Sequence, residues 1–188
     1  MKTVIVIGGG LSGLQAGVFT AKAGEETLVL DTDESLVYNT SNIQNLVGHD
    51  SVSGEELLRS GRDKLEEFGG EFKQEKVESV KENEEVFLVT TEESRYESEY
   101  LVLASAGILD YAKTLELELE EGVDEIYMMD EHVKTDESNK AVGTEKVYAA
   151  GLANTWEYQV SVAIGDGAKA AVNLLTDKYG EHYQDHDT

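Results

Sequence analysis

With 188 residues and 20.6 kDa, the chain can form one compact domain with a sizeable core and is too short for two full ones. Its 39 acidic residues against 15 basic give a formal net charge of -24. That balance argues against binding nucleic acid or an anionic membrane through a basic surface, because the long-range field repels phosphates. Cysteine is absent, which removes disulfides, thiolate metal sites and dithiol redox chemistry together. No signal-like basic and apolar stretch opens the chain and no apolar run reaches bilayer length, so the expected location is cytoplasmic. Hydrophobic residues still make up 40% and are gathered in ordered runs, so folding is expected rather than disorder. The acids are spread along the chain from Glu25 onward instead of being gathered in one tail or face, and lysines number 12. That spread favours adaptation to a salt-rich cytosol over one acidic docking face for a basic partner.

Residues 2–7 form an apolar, β-branched strand pattern running into Gly8-Gly9-Gly10-Leu11-Ser12-Gly13. Helical spacing follows through Leu14, Ala16, Gly17, Val18 and Ala21, and Gly24 marks its C-terminal end. Thr27-Leu28-Val29-Leu30 reads as a second buried strand with Asp31 at its end. Residues 35–53 are polar and irregular. Ser53-Gly54-Glu55-Glu56 then opens a helix with a capping box, and Leu57, Leu58, Leu65 and Phe68 give it one apolar face up to Gly69-Gly70. Strands are expected over 72–80, 86–91 and 100–103. Residues 108–146 are acidic and weakly patterned, with an apolar patch at Ile126-Tyr127-Met128-Met129. Val147-Tyr148-Ala149-Ala150-Gly151 reads as another buried strand, a final helix covers roughly 159–178, and a polar, frayed tail is expected over 180–188.

The order strand, glycine turn, helix, strand, acid is the βαβ dinucleotide arrangement. Gly8 suits a tight turn, Gly10 a close backbone approach to a pyrophosphate, and Gly13 close helix–strand packing. The free N–H groups around Leu11 and Ser12, at the positive end of the helix, suit the diphosphate. Asp31 suits the adenosine ribose hydroxyls and disfavours a 2′-phosphate. A glycine-rich turn serving packing alone is the competing reading.

Beyond this fingerprint, the sequence resembles the FAD domain of the thioredoxin reductase-like pyridine nucleotide-disulfide oxidoreductases over about 1–107 and 145–178. Asn42-Ile43-Gln44-Asn45-Leu46-Val47-Gly48 is similar to the family's Asn-Phe-Pro-Gly segment, and Tyr100-Leu101-Val102-Leu103-Ala104-Ser105-Ala106-Gly107 to its strand ending in Ala-Thr-Gly. Val147 to Gly151, Gln159-Val160 and Gly165-Asp166-Gly167 resemble its last flavin segment. The resemblance implies FAD as cofactor, Asn45 against the flavin, backbone contact from Val77 to the adenine, and Ala104 and Gly151 near the cofactor. It further implies Gln159 and Val160 at the pyrimidine edge of the ring. The fold it implies is an α/β, Rossmann-like three-layer domain of the FAD/NAD(P)-binding type, a parallel sheet with a small antiparallel β-meander.

The departures are as informative. Residues 108–146 stand where the family carries an NAD(P)H domain of over a hundred residues, and they hold no second glycine fingerprint. The redox cysteine pair is missing. Leu152 follows Gly151 where the family has an aspartate for the ribityl chain, and Ala104-Ser105-Ala106 replaces Ala-Thr-Gly. Two functions fit this pattern. One is a single-domain flavoprotein oxidoreductase supplied with electrons by a redox partner protein or a small-molecule donor. The other is a non-enzymatic module binding FAD, NAD or ADP-ribose as a sensor or oligomer subunit. A thiazole synthase-like enzyme ranks third, since no cysteine can donate sulfur. A homo-oligomer is expected from the apolar surface that a missing domain would bare, with Tyr127, Met128 and Met129 contributing. No catalytic residue stands out and no metal site is expected. Trp156 and Tyr158 suit either stacking on the ring or packing, and His49 either a proton relay or a structural bond.

Overall fold

In the computed structural model, residues 1–83, 86–105, 109–121 and 131–185 are described. Tyr127, Met128, Met129, Ala106, Gly107 and His186 lie outside them. The chain runs β1 (Lys2–Ile7), α1 (Leu11–Lys22), β2 (Thr27–Asp31), a 3-10 turn (Leu36–Asn39), α2 (Gly54–Glu67), β3 (Glu71–Gln74), β4 (Val77–Asn83), β5 (Val86–Thr91), β6 (Arg95–Leu103) and α3 (Leu109–Thr114). It continues through β7 (Leu119–Glu121), β8 (Glu131–Val133), β9 (Val147–Ala149), a second 3-10 turn (Gly151–Ala153) and α4 (Val160–Tyr179).

Strand β1 pairs in parallel with β2 on one side and β6 on the other, β2 carries β3, and β6 carries β9. The N-terminal half of β6 pairs antiparallel with β5, and β5 with β4. A parallel sheet and an antiparallel meander therefore share one long strand, the α/β arrangement the sequence implied.

The alternation of β1 explains why its apolar run is continuous. Val4 and Val6 face a cluster built with Leu14, Ala16, Leu58, Leu65, Ala170 and Leu174 from the helices. Ile5 and Ile7 face the opposite cluster, with Val80, Phe87 and Val89 of the meander, Ala112 of α3, and Val133. Val4, Ile5 and Val6 are fully buried, each contributing about 1.5–3 kcal/mol relative to exposure. Helices α1, α2 and α4 thus form one outer layer and the meander with α3 the other.

Helix ends follow local chemistry. At α2 the side chain of Ser53 accepts the Glu56 N–H at 3.2 Å and the Glu56 carboxylate accepts the Ser53 N–H at 2.9 Å, the capping box the sequence contained. Gly24 takes φ +86° just past α1, the left-handed conformation that ends helices.

Two expectations change. The stretch 72–80 is two strands, β3 parallel to β2 and β4 antiparallel to β5. Glu75 sits between them, accepting hydrogen bonds from the Thr91 hydroxyl at 2.6 Å and the Tyr96 hydroxyl at 2.8 Å. The tail up to residue 185 is tied down: the Tyr183 N–H donates to the Thr176 hydroxyl at 3.1 Å and Lys22 pairs with Asp185 at 3.0 Å. No helix among the described residues is long and apolar enough to cross a membrane.

Candidate dinucleotide site

The site is built where β1 ends. The Gly8 N–H donates to the Leu30 carbonyl at 2.8 Å and the Ala104 N–H to the Ile7 carbonyl at 2.8 Å, so the turn is fixed between β2 and β6. Gly8 has φ +106°, and a Cβ there would come within 2.7 Å of the Ala104 backbone. At Gly13 a Cβ would stand 1.8 Å from the Gly8 carbonyl oxygen. Both glycines are required by the protein's own packing. Gly10 differs: its nearest neighbour for a Cβ is the Ser35 hydroxyl at 3.5 Å, and the residue faces a cavity of about 530 Å³.

The starts of two helices open on that cavity. Gly10, Leu11 and Ser12 line it from α1, and Val160 and Ala163 from α4. Neither helix has a side-chain cap or an acid in its first turn, whereas α2 carries a full capping box with Glu55 and Glu56 in its own. In a chain so rich in carboxylates the contrast has a physical consequence. Among the described residues the cavity is lined by the acids Asp31, Glu34 and Glu157 and by no lysine or arginine. Positive potential for an anionic ligand must therefore come from the two helix N-termini, each worth about 0.3–1 kcal/mol towards a negative charge.

Close packing brings the two helices together. A Cβ on Gly167 of α4 would lie 2.0 Å from the Ser12 carbonyl oxygen, and one on Gly151 would lie 2.3 Å from the Ser12 hydroxyl. Asp166 holds the turn at Gly151. Its carboxylate accepts the Gly151 N–H at 2.7 Å, the Asn139 amide at 2.6 Å and the Asn154 amide at 3.0 Å. The Thr135 hydroxyl donates to Asn154 at 2.6 Å. Asn139 is itself buried and donates to the Ala149 carbonyl at 3.1 Å.

At the opposite end, Asp31 accepts the Gly9 N–H at 2.5 Å on one oxygen and the Asp33 N–H at 2.6 Å on the other. A carboxylate offers about four acceptor sites, so two remain for ligand hydroxyls. The wall beyond is the loop from Thr32 to Thr40. Within it the Asp33 carboxyl is held below the usual carboxylate range by the Tyr38 hydroxyl first and by Arg62 next.

Of the residues singled out by sequence, Gly8, Gly10, Leu11, Ser12, Asp31, Ala104, Gly151 and Val160 line the cavity, and Gly13 lies beneath its glycine turn. The Asn45 amide meets the Gln159 side chain at 3.4 Å, and Ser161 donates to the Asn45 carbonyl at 3.3 Å. Val77 is buried in the meander-side core, its carbonyl accepting the Tyr111 hydroxyl. Tyr158 and Leu152 are in the lining; Trp156 is 44% exposed and His49 is exposed on its loop. Sequence reasoning missed Asp33, Tyr38, Arg62, Asn139 and Asn154, and it quoted Asp166 within Gly165-Asp166-Gly167 without assigning it a role. Among the described residues no group of three His, Asp or Glu side chains could hold a metal ion.

Residues 2–108 match the family profile of the pyridine nucleotide-disulphide oxidoreductases. A thioredoxin reductase of Aquifex aeolicus (strain VF5) is 34% identical over 113 residues, 58% of this chain and 35% of that protein. One from Bacillus subtilis (strain 168) is 27% identical over 106 residues, 55% of this chain and 34% of that protein. These alignments take in about a third of each curated relative's length. A solved thioredoxin reductase from Gloeobacter violaceus superposes with a TM-score of 0.80 at 18% identity, covering 100% of this chain and 99% of that one. An oxidoreductase from Agrobacterium tumefaciens gives 0.80 at 15% identity, covering 96% and 100%. At such identities the superpositions establish the fold alone, an α/β architecture with a mostly parallel sheet and an antiparallel meander. The profile match, spanning more than half of the residues, places this chain in the pyridine nucleotide-disulphide oxidoreductase family.

Proposed function

We propose that the chain is an FAD-binding flavoprotein of the thioredoxin reductase type that takes electrons from an external donor or partner protein. The observation that carries this reading is the convergence of two uncapped helix N-termini, with Gly10 and Asp31, on one cavity whose described lining holds no lysine or arginine. That donor set fits the ADP half of a dinucleotide: backbone N–H groups for the diphosphate and a carboxylate for the ribose. Bound FAD would supply the two-electron chemistry. The residues of the chain bind and orient it, the glycine turn admitting the diphosphate and the first turn of α4 favouring negative charge at the ring. Without cysteine, this chain has no pair of its own through which to reduce disulfides. Residues 108–146 stand where the resemblance implies an NAD(P)H domain, and on that reading we take a homo-oligomer as the working state.

A second reading is favoured by Leu152, an apolar side chain in the cavity lining where the resemblance implies an aspartate. It is a dinucleotide-binding module for FAD, NAD or ADP-ribose without turnover. The test is anaerobic reduction of the FAD-reconstituted protein by NADH, NADPH or reduced ferredoxin. Bleaching of the flavin band by any of them supports the oxidoreductase; a protein that binds FAD and is bleached by none supports the module.

A further inference from the structure

The loop from Thr32 to Thr40 contains a second aspartate, Asp33, in a conformation that needs an explanation. Its φ is +65°, in the left-handed region that disfavours side-chain-bearing residues, though least for Asn and Asp. In that conformation its N–H reaches the carboxylate of Asp31 at 2.6 Å. Its own carboxylate accepts from Arg62 of α2 and from Tyr38, and the same Arg62 nitrogen contacts the Tyr38 hydroxyl at 2.9 Å.

Arg62 is fixed from its other side by Phe72 of β3, the guanidinium carbon standing 4.2 Å from the ring centroid. The Phe72 ring packs in turn on the glycine turn, where a Cβ on Gly9 would meet its edge at 2.7 Å. Gly9 closes the circuit by donating its N–H to Asp31. Five residues drawn from the glycine turn, the end of β2, the loop after it, α2 and β3 thus form a ring of contacts: Gly9, Asp31, Asp33, Arg62, Phe72. Arg62 is absent from the cavity lining. Its Nη2 donates to Asp33 and Tyr38 and its guanidinium lies over the Phe72 ring, while its Nε is buried without a hydrogen-bond partner.

We propose that Arg62 is a positioning residue that latches Asp33 in its left-handed conformation and thereby sets the orientation of the Asp31 carboxylate towards the ribose of an ADP-bearing ligand. This rests on the dinucleotide reading of the cavity. Two properties of arginine are used at once, a flat face stacked on an aromatic ring and an in-plane N–H directed at a carboxylate. Lysine keeps the charge and loses the flat face, so it restores only part of the function.

The experiment measures ADP binding by calorimetry to the full chain in molar KCl and amide hydrogen exchange without ligand, for wild type, Arg62→Met, Arg62→Lys, Asp33→Asn and the Arg62→Met/Asp33→Asn pair. Arg62→Met is expected to weaken ADP by roughly tenfold, the scale of one charge-assisted hydrogen bond, with Arg62→Lys falling between it and wild type. The double variant should lose no more than the single ones, because both break one latch. Exchange at the Gly9 and Asp33 amides should quicken while the β1 amides remain protected. Tyr38→Phe, which keeps the Arg62–Asp33 pair, is a milder variant with an expected loss of two- to threefold. Unchanged ADP affinity in Arg62→Met, or additive losses in the double variant, overturns the latch. If wild type binds no ADP while Arg62→Met still quickens exchange at Gly9 and Asp33, the latch stands and the dinucleotide reading fails.

Discussion

At the residue scale the glycines separate folding from binding. Gly13 has no room for a Cβ, which would fall 1.8 Å from the Gly8 carbonyl oxygen. Gly13→Ala is expected to lower stability by about 1–3 kcal/mol or more through overpacking, read as a shift in the urea midpoint. Gly10 has φ -69°, and a Cβ there would make ordinary contact with the Ser35 hydroxyl at 3.5 Å, so Gly10→Ala should leave that midpoint unchanged. It should weaken dinucleotide binding by about tenfold, near 1.4 kcal/mol, because a methyl group then stands where the ligand backbone approaches. Equal effects of both changes on stability would show that the two glycines do one job. The fingerprint glycines and Asp31 were legible in the sequence because a tight turn, a close approach and an acid-ended strand each restrict residue type at fixed spacing. Arg62 was not. Its partners lie 29 and 24 residues away, and on α2 it reads as one more charge on a solvated helix face.

At the scale of elements, the arrangement depends on how α4 is held against α1 and β9. Asp166 accepts three donors around the Gly151 turn. An amide at this position cannot accept them all, so Asp166→Asn should cost about 1–3 kcal/mol and displace the start of α4 from the cavity. Further along α4, Asp177 accepts the hydroxyl of fully buried Tyr148 and the Lys140 ammonium at 2.9 Å. The Tyr148 hydroxyl, then Lys140, holds the Asp177 carboxyl below its ordinary value, and burial drives the Tyr148 hydroxyl well above the tyrosine range. A depressed carboxylate contributes stability that is present above its unfolded pKa of about 3.9 and is lost as pH falls through the lower folded value. Wild type should therefore lose stability between about pH 4 and the folded pKa of Asp177, and Asp177→Asn should show a shallower loss there in pH-dependent urea unfolding. An unaltered acid limb would remove Asp177 from the account. β1, α1, β2, α2 and α4 were readable because each carries its own period or cap. The break between β3 and β4 was not: Glu75-Lys76 has no glycine or proline, and what bends the chain there is contact with Thr91 and Tyr96, some 16 and 21 residues on.

For the whole molecule, a net charge of -24 sets self-repulsion against the apolar burial on both faces of the sheet. The Debye length falls from about 10 Å at 0.1 M to about 3 Å at 1 M, so the acidic surface predicts a melting temperature that climbs steadily between 0.1 and 2 M KCl. A flat profile would mean that the acids are balanced locally and that salt adaptation is the wrong account of them. The same charge shapes the cavity. Among the described residues its lining holds carboxylates and no lysine or arginine, so the backbone N–H groups of α1 and α4 are what it offers an anionic ligand. That dependence makes the glycine turn and the α1–α4 contact parts of one device. The family and the α/β class were legible in the sequence, since the glycine fingerprint, the apolar strands and the motifs over 1–107 and 145–178 carry them. The acidic segment after β6 was not, because its short elements are held by packing Leu117, Val133 and Ala141 into a core shared with Val80, Phe87 and Val89 of the meander.

The most direct test of the central claim is an absorption spectrum of the protein purified in molar KCl, followed by mass analysis of whatever heat releases. The account predicts a yellow protein that releases FAD in proportion to chain. A colourless protein that also fails to take up added FAD would contradict it, and would make Leu152 the residue that decides what the cavity holds.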